Sequence, residues 1–113
     1  MSIQKRLEQI QQILEDNKAE NIETFNLENS NYIVSAAVVA TAVADRHLDA
    51  LKEYLKQGLR GKEEILNTDS SKQWIVLDLG DIIVHIMSKE ARQKYHLENF
   101  LNEFIEKKTN SSF

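Results

Sequence analysis

The chain has 113 residues, 42% hydrophobic and 28% charged, with no proline and no cysteine, which suits one domain able to bury roughly two-thirds of its unfolded surface. Its 14 Lys and Arg stand against 18 Asp and Glu, so no general attraction to phosphate backbones supports sequence-specific nucleic-acid binding, and a basic protein is the better-matched partner. The missing cysteines exclude disulfides and thiolate metal sites, while "MSIQKRLEQIQQILEDNKAE" lacks the apolar core of a signal peptide and the longest near-apolar run, 32–44, is too short for a membrane-spanning helix, so a cytoplasmic protein without a membrane segment is expected.

Ile3, Leu7, Ile10 and Leu14 fall at helical spacing and predict a helix over 1–17 that packs by one apolar stripe. "NIETFNL" at 21–27 sets Ile22 and Phe25 among polar residues and reads as a short strand at a sheet edge. "NYIVSAAVVA" at 31–40 is β-branched and apolar without alternation, the pattern of a central strand covered on both faces. Asp45 is the expected N-cap of the next helix, because a carboxylate accepts from unpaired backbone N–H groups and complements the positive helix end. Leu48, Leu51, Leu55 and Leu59 carry that helix from 46 to 59. Gly58 and Gly61 punctuate its end, "EEILN" at 63–67 reads as a short strand and "TDSSK" at 68–72 as a polar loop. A hairpin over 74–87 follows. Ser88 then caps a last helix with a stripe of Leu97, Phe100, Leu101, Phe104 and Ile105, and 108–113 are expected to fray. Hairpin strands together with a crossover helix predict a single α/β domain over 1–113, its core at 18–107 a mixed β-sheet flanked by helices.

The hairpin, "WIVLDLGDIIVHIM", carries the candidate chemistry. With Gly80 and Asp81 as a two-residue turn and Gly in the first, positive-φ position, Leu79 faces Ile82, Leu77 faces Val84 and Ile75 faces Ile86. That face is wholly aliphatic. On the other, Asp78 faces Ile83, Val76 faces His85 and Trp74 faces Met87, which makes Asp78 and His85 diagonal neighbours. Two readings stay open: a binding surface anchored by Trp74, or a second packed layer in which Trp74 caps the core and Asp78 bonds His85. No Ser or Cys nucleophile accompanies the Asp and His in any known motif, and His47, His85 and His96 lack metal-ligand spacing, so no catalytic residue, metal or cofactor is expected. Arg92, Tyr95 and Glu98 follow at successive spacings of three along one flank of the last helix, the pattern of a solvated edge with an ion pair.

Taken together, this hairpin and the "SKEARQKYHLENFL" behind it resemble the Iojap family, the bacterial and organellar ribosomal silencing factors. Trp74, Asp78, Gly80, Asp81, His85, Arg92, Tyr95, Leu97 and Glu98 carry the likeness, in the family's order and spacing. Upstream, "KAENIETFNL" and "ATAVADRHLDAL" are similar to the family's first-strand entry and its small-residue turn, so the resemblance runs over about 18–101. Ser35 replaces an Asp usual in the family, Ala42 to Asp45 replace a Gly and a Ser- or Thr-rich turn, and "ILNTDSSKQ" replaces a Glu-Gly with an apparent insertion.

The resemblance implies a nucleotidyltransferase-like fold without the activity. Nucleotidyl transfer needs a Gly-Ser phosphate loop followed by paired carboxylates for Mg²⁺; here the turn has neither Gly nor Ser, and Asp45 lacks a second carboxylate two residues on. It also implies docking on the large ribosomal subunit through ribosomal protein L-fourteen, steric exclusion of the small subunit, and repression of translation when nutrients are short; some members form homodimers. On that basis Trp74 is the apolar anchor, Tyr95 a second aromatic contact, and Asp78, Asp81 and Glu98 acceptors for basic side chains. His85 would orient Asp78 or touch the partner, and Arg92 would serve as a contact or as an internal partner of a helix carboxylate. The alternatives from other classes are a nucleotide-binding enzyme that keeps the old chemistry and a dimeric adaptor with no ribosomal role.

Overall fold

Leu7, Ile10 and Leu14 are buried along one side of α1 (Ile3–Asp16) in the computed structural model, which describes residues 2–110 and side chains through 105. The Ser2 hydroxyl caps that helix by accepting from the Lys5 N–H at 3.2 Å, satisfying one of its free donors. The chain continues through β1 (Glu20–Asn26), β2 (Ala36–Thr41), α2 (Asp45–Gly58), β3 (Asn67–Ser70), β4 (Trp74–Asp78), β5 (Ile82–Met87), α3 (Lys89–Tyr95) and α4 (Leu97–Asn110). The strands form one sheet in the order β1-β2-β5-β4-β3. Only β2 and β5 run parallel; the other neighbours are antiparallel, so the sheet is mixed as expected.

Each face of the sheet has its own apolar cluster. On the first, Ala36, Val38 and Ala40 of β2, Ile75 and Leu77 of β4, and Ile82, Val84 and Ile86 of β5 pack under α1 and α2, including Leu51 and Leu55. The two helices also pack closely on each other: a Cβ added at Gly58 would lie 2.7 Å from the Ile13 side chain. On the second face, Phe25, Leu27, Ala37, Val39 and Met87 meet Ala91 of α3 and Leu101 of α4.

Several expectations need correction. All six residues of β2 are buried, but the strand begins at Ala36, not 31, and the middle of the sheet is β5. The preceding segment is closed into a loop by the Leu27 N–H donating to the Ser35 carbonyl at 2.8 Å, with the Ser30 hydroxyl donating to the Leu27 carbonyl at 2.6 Å and left-handed backbone at Asn29. Local side-chain bonds of this kind compete with strand pairing. Asp45 is not the N-cap of α2. Ala44 holds that position without a side-chain bond, and Asp45 is the first helical residue, where its charge still complements the helix end. His47 instead holds the turn before the helix: its Nδ1 accepts from the Val43 N–H at 2.9 Å while its Nε2 lies 2.8 Å from the Asn17 carbonyl. As Nδ1 is an acceptor, Nε2 carries the proton and donates to Asn17.

The third strand lies where a loop was expected, at Asn67–Ser70 instead of 63–67. It is polar and mostly exposed, and owes its conformation to the ladder with β4. The single last helix is two. Ser88 caps α3 through the Ala91 N–H at 3.0 Å, but His96 takes left-handed backbone at φ 48° and ends it. α4 runs to Asn110; the side chains of the expected frayed tail, and residues 111–113 entirely, lie outside the described residues.

The hairpin register is the one expected, from Trp74 opposite Met87 to Asp78 opposite Ile83. Gly80 takes φ 92°, and the Leu79 N–H closes the turn on the Ile82 carbonyl at 2.9 Å. A clamp holds this turn from outside. Arg6 of α1 donates to both Asp81 oxygens at 2.7 and 2.8 Å and to both Glu63 oxygens at 2.9 and 2.8 Å. The two carboxylates hold the guanidinium protonated well above its ordinary range, and Arg6 in turn holds the Asp81 carboxyl below its own. Because the Glu63 side chain is only 7% exposed, Arg6→Ala strands a buried carboxylate and should cost about 2–3 kcal/mol in urea denaturation. Asp81→Asn, at a half-exposed position, should cost under about 1 kcal/mol. Equal losses for the two variants would contradict the burial argument.

Candidate docking surface

Helices α3 and α4 cover the β1 and β2 half of the second sheet face and reach β5 at Met87. Beyond them the register brings Asp69 of β3, Val76 of β4 and His85 of β5 into one row, and Asn67, Asp78 and Ile83 into the next. Val76, Asp78, Ile83 and His85 are half-buried, while Asn67 and Asp69 are exposed. The apolar members of this area, Val76 and Ile83, pack against neither core cluster. The layer is therefore unfinished on this side.

Trp74 stands at its edge and is held from two directions. Its indole N–H donates to His85 Nδ1 at 3.1 Å, and its ring lies 5.2 Å from the Tyr95 ring, tilted by 43°. Tyr95 itself is 51% exposed at the end of α3, with the Lys94 ammonium 5.3 Å from its ring centre, a cation–π distance. An indole N–H can only donate, so the bonded His85 nitrogen has no proton and the other, Nε2, carries it. Burial pushes His85 down to about 4 from its ordinary 6.5, which keeps the ring neutral near pH 7. The cluster thus presents an aromatic surface and one imidazole N–H donor.

The other expected contact residues are dispersed. Asp78 does not bond His85. One of its oxygens accepts from the Gly80 N–H at 2.8 Å, an Asx turn that braces the hairpin, and it sits at the opposite end of β4 from Trp74. Asp81 lies in the Arg6 clamp. Arg92 is 11% exposed and works as an internal strut: it donates to the Asn21 carbonyl at 2.7 Å and the Thr41 hydroxyl at 2.8 Å, pairs with Glu23, and reaches Glu98 at 3.3 Å. It thereby joins β1, β2, α3 and the start of α4. Trp74, His85 and Tyr95 form one group, Arg92 and Glu98 a second, and Asp78 and Asp81 belong to the turn. Sequence reasoning missed Arg6, Thr41 and Glu23, which meet their partners only through the fold. Asp69 was missed because its segment reads as a loop; only its strand register aligns it with His85. Among the described residues, no three His, Asp or Glu side chains are placed to hold a metal ion, and no helix is long and apolar enough to cross a membrane.

Comparison with known proteins agrees with the resemblance seen in the sequence. A family model described as "Ribosomal silencing factor during starvation" matches residues 1–112. The ribosomal silencing factor of Haemophilus influenzae is 33% identical over 98 residues, 81% of this chain and 93% of that protein. Its counterpart in Halalkalibacterium halodurans is 28% identical over 103 residues, 87% and 86% of the two chains. A crystal structure of a protein from Chromobacterium violaceum superposes with a TM-score of 0.83 at 26% identity, covering 90% of this chain and 88% of that one.

The burial of His85 generates a pH dependence. With its folded value near 4 and an ordinary value of 6.5, His85 takes up a proton more readily in the unfolded chain. Stability should therefore be full above about pH 6.5 and fall as pH drops towards 4, by at most roughly 3 kcal/mol on the per-unit conversion. Asp81, whose folded value is lowered, adds its own loss only below the ordinary carboxylate range. Urea denaturation at pH 7, 5.5 and 4.5 reads the first window, and His85→Gln should flatten it; a wild type equally stable at pH 7 and 4.5 would refute the assignment.

Proposed function

This chain belongs to the ribosomal silencing factor family, the RsfS or Iojap proteins, and from that membership we propose that it docks on the large ribosomal subunit through ribosomal protein L-fourteen, keeps the small subunit from joining, and so represses translation under nutrient limitation. The observation that supports this reading best is the half-buried Trp74, held between His85 and Tyr95 at the edge of an unfinished sheet layer. Large aromatic side chains fixed in one orientation lose little entropy on binding and are favoured as interface anchors.

The mechanism is occupancy. A domain measuring 46 × 34 × 22 Å, seated on a joining face, excludes by its volume any subunit that must approach the same face. Trp74 and Tyr95 supply apolar contact, the His85 Nε2–H supplies a donor, and the Asp78 carboxylate keeps one oxygen for a donor from the partner. Asp81 and Glu98, already engaged by Arg6 and Arg92, shape the surface more than they bind through it. The acidic balance of the chain favours encounter with a basic partner. The reading places the protein in the cytoplasm and assigns it contact without catalysis.

Sedimentation with purified subunits is the direct test: the protein should travel with the large subunit and reduce the yield of joined ribosomes. Migration with neither subunit, or with joined ribosomes undiminished, would overturn the proposal. Trp74→Ala should weaken large-subunit binding by roughly 2 kcal/mol or more. Tyr95→Ala should weaken it with little change in melting temperature, since half of that side chain is already in solvent.

A further inference from the structure

The carboxylates expected to meet a basic partner are all engaged to some degree within the molecule, whereas Asp69, outside that expectation, pairs with no cation among the described residues. Asp81 is bonded by Arg6, Glu98 by Arg92, and one Asp78 oxygen by the Gly80 N–H. Asp69 is exposed on β3 and, among the described residues, lies within ion-pair distance of no cation. Its register partner is Val76, whose own partner is His85, so a carboxylate, two methyl groups and an imidazole follow one another across the open face.

Asp69, Ser71, Trp74 and Val76 line a recess of about 220 Å³. Pockets that enclose a drug-sized ligand run from about 300 to 1,000 Å³; this one suits a single protruding side chain. Its polar rim is partly committed, since the Ser71 hydroxyl donates to the Trp74 carbonyl at 2.9 Å. The indole N–H is likewise given to His85. What remains for a ligand is an aromatic surface, the Val76 methyls and one unpaired carboxylate. That combination recognises a cation with a flat, weakly hydrated head and an aliphatic stem.

We propose that this recess is the socket for an arginine side chain of a basic protein partner, its guanidinium on Asp69 and its stem and plane against Trp74 and Val76. The partner's identity rests on the docking reading above; the chemistry of the socket does not.

Two arms test it separately. In the first, the full chain is titrated with the peptide acetyl-Gly-Arg-Gly-amide while the indole N–H resonance of Trp74, the only Trp in the chain, is followed by NMR. A saturable shift is expected, with none from the uncharged citrulline peptide and binding roughly fivefold weaker in Asp69→Asn. In the second, Asp69→Asn should bind purified large subunits roughly fivefold less tightly than wild type, with a shallower salt dependence. The position is exposed on an edge strand, and an unchanged thermal melt confirms an intact fold. If wild type and Asp69→Asn bind subunits alike and the arginine peptide is silent, the socket is overturned and the docking reading stands. If wild type ignores large subunits yet the arginine peptide binds through Asp69, the docking reading falls and the socket stands for another basic partner.

Discussion

The molecule depends on the left-handed backbone at Gly80. That turn fixes which residue of β5 faces which residue of β4, and because side chains alternate at a period of two, a slip of one residue would send every buried aliphatic to the open face. The consequence spreads because β5 is the middle strand, paired with β2 on its other side. The Asp81 carbonyl accepts from the N–H groups of both Ser35 and Ala36, at 2.9 and 3.2 Å, so the same turn also marks where β2 begins. Arg6 holds the side chain of that residue. One two-residue turn therefore connects the helix layer, the sheet register and the orientation of Trp74.

Where burial alone decided the conformation, the sequence was readable. The stripes of α1 and α2, the fully buried β2 and all the cross-strand pairs of the hairpin follow from hydrophobic period and turn chemistry. Failures occurred where something else decided. β3 has no buried face to impose a period, so its polar letters read as a loop although its backbone is bonded to β4. The break at His96 depends on one left-handed residue of a type that tolerates it, and α2 starts after Ala44 with no side-chain cap, the turn before it being held by His47 from within the helix.

The candidate site divides in the same way. Trp74 and His85 were placed on one face by alternation, and the structure keeps them there. Pattern could not reveal that they bond each other, while Asp78 turns to its own hairpin. Nor could it show that Asp81 is answered by an arginine from another element, because that pair joins positions 6 and 81, whereas the Arg92–Glu98 ion pair expected from their spacing is present across the break between α3 and α4. A sheet with one complete helical layer and one partial layer leaves half of a face available, and a partner seated on Val76, Ile83 and Trp74 would supply the missing cover.

The bond between His47 and the Val43 N–H has a consequence for how the sequence can vary. A turn before a helix ordinarily carries its own polar side chain to receive a free backbone donor. Here the acceptor is borrowed from three residues inside α2, and the same ring reaches Asn17 at the end of α1. The obligation to answer the Val43 N–H thus falls on no residue of the small apolar "AVA" turn at 42–44 itself. The obligation has not vanished; it has moved to position 47, which becomes the intolerant one.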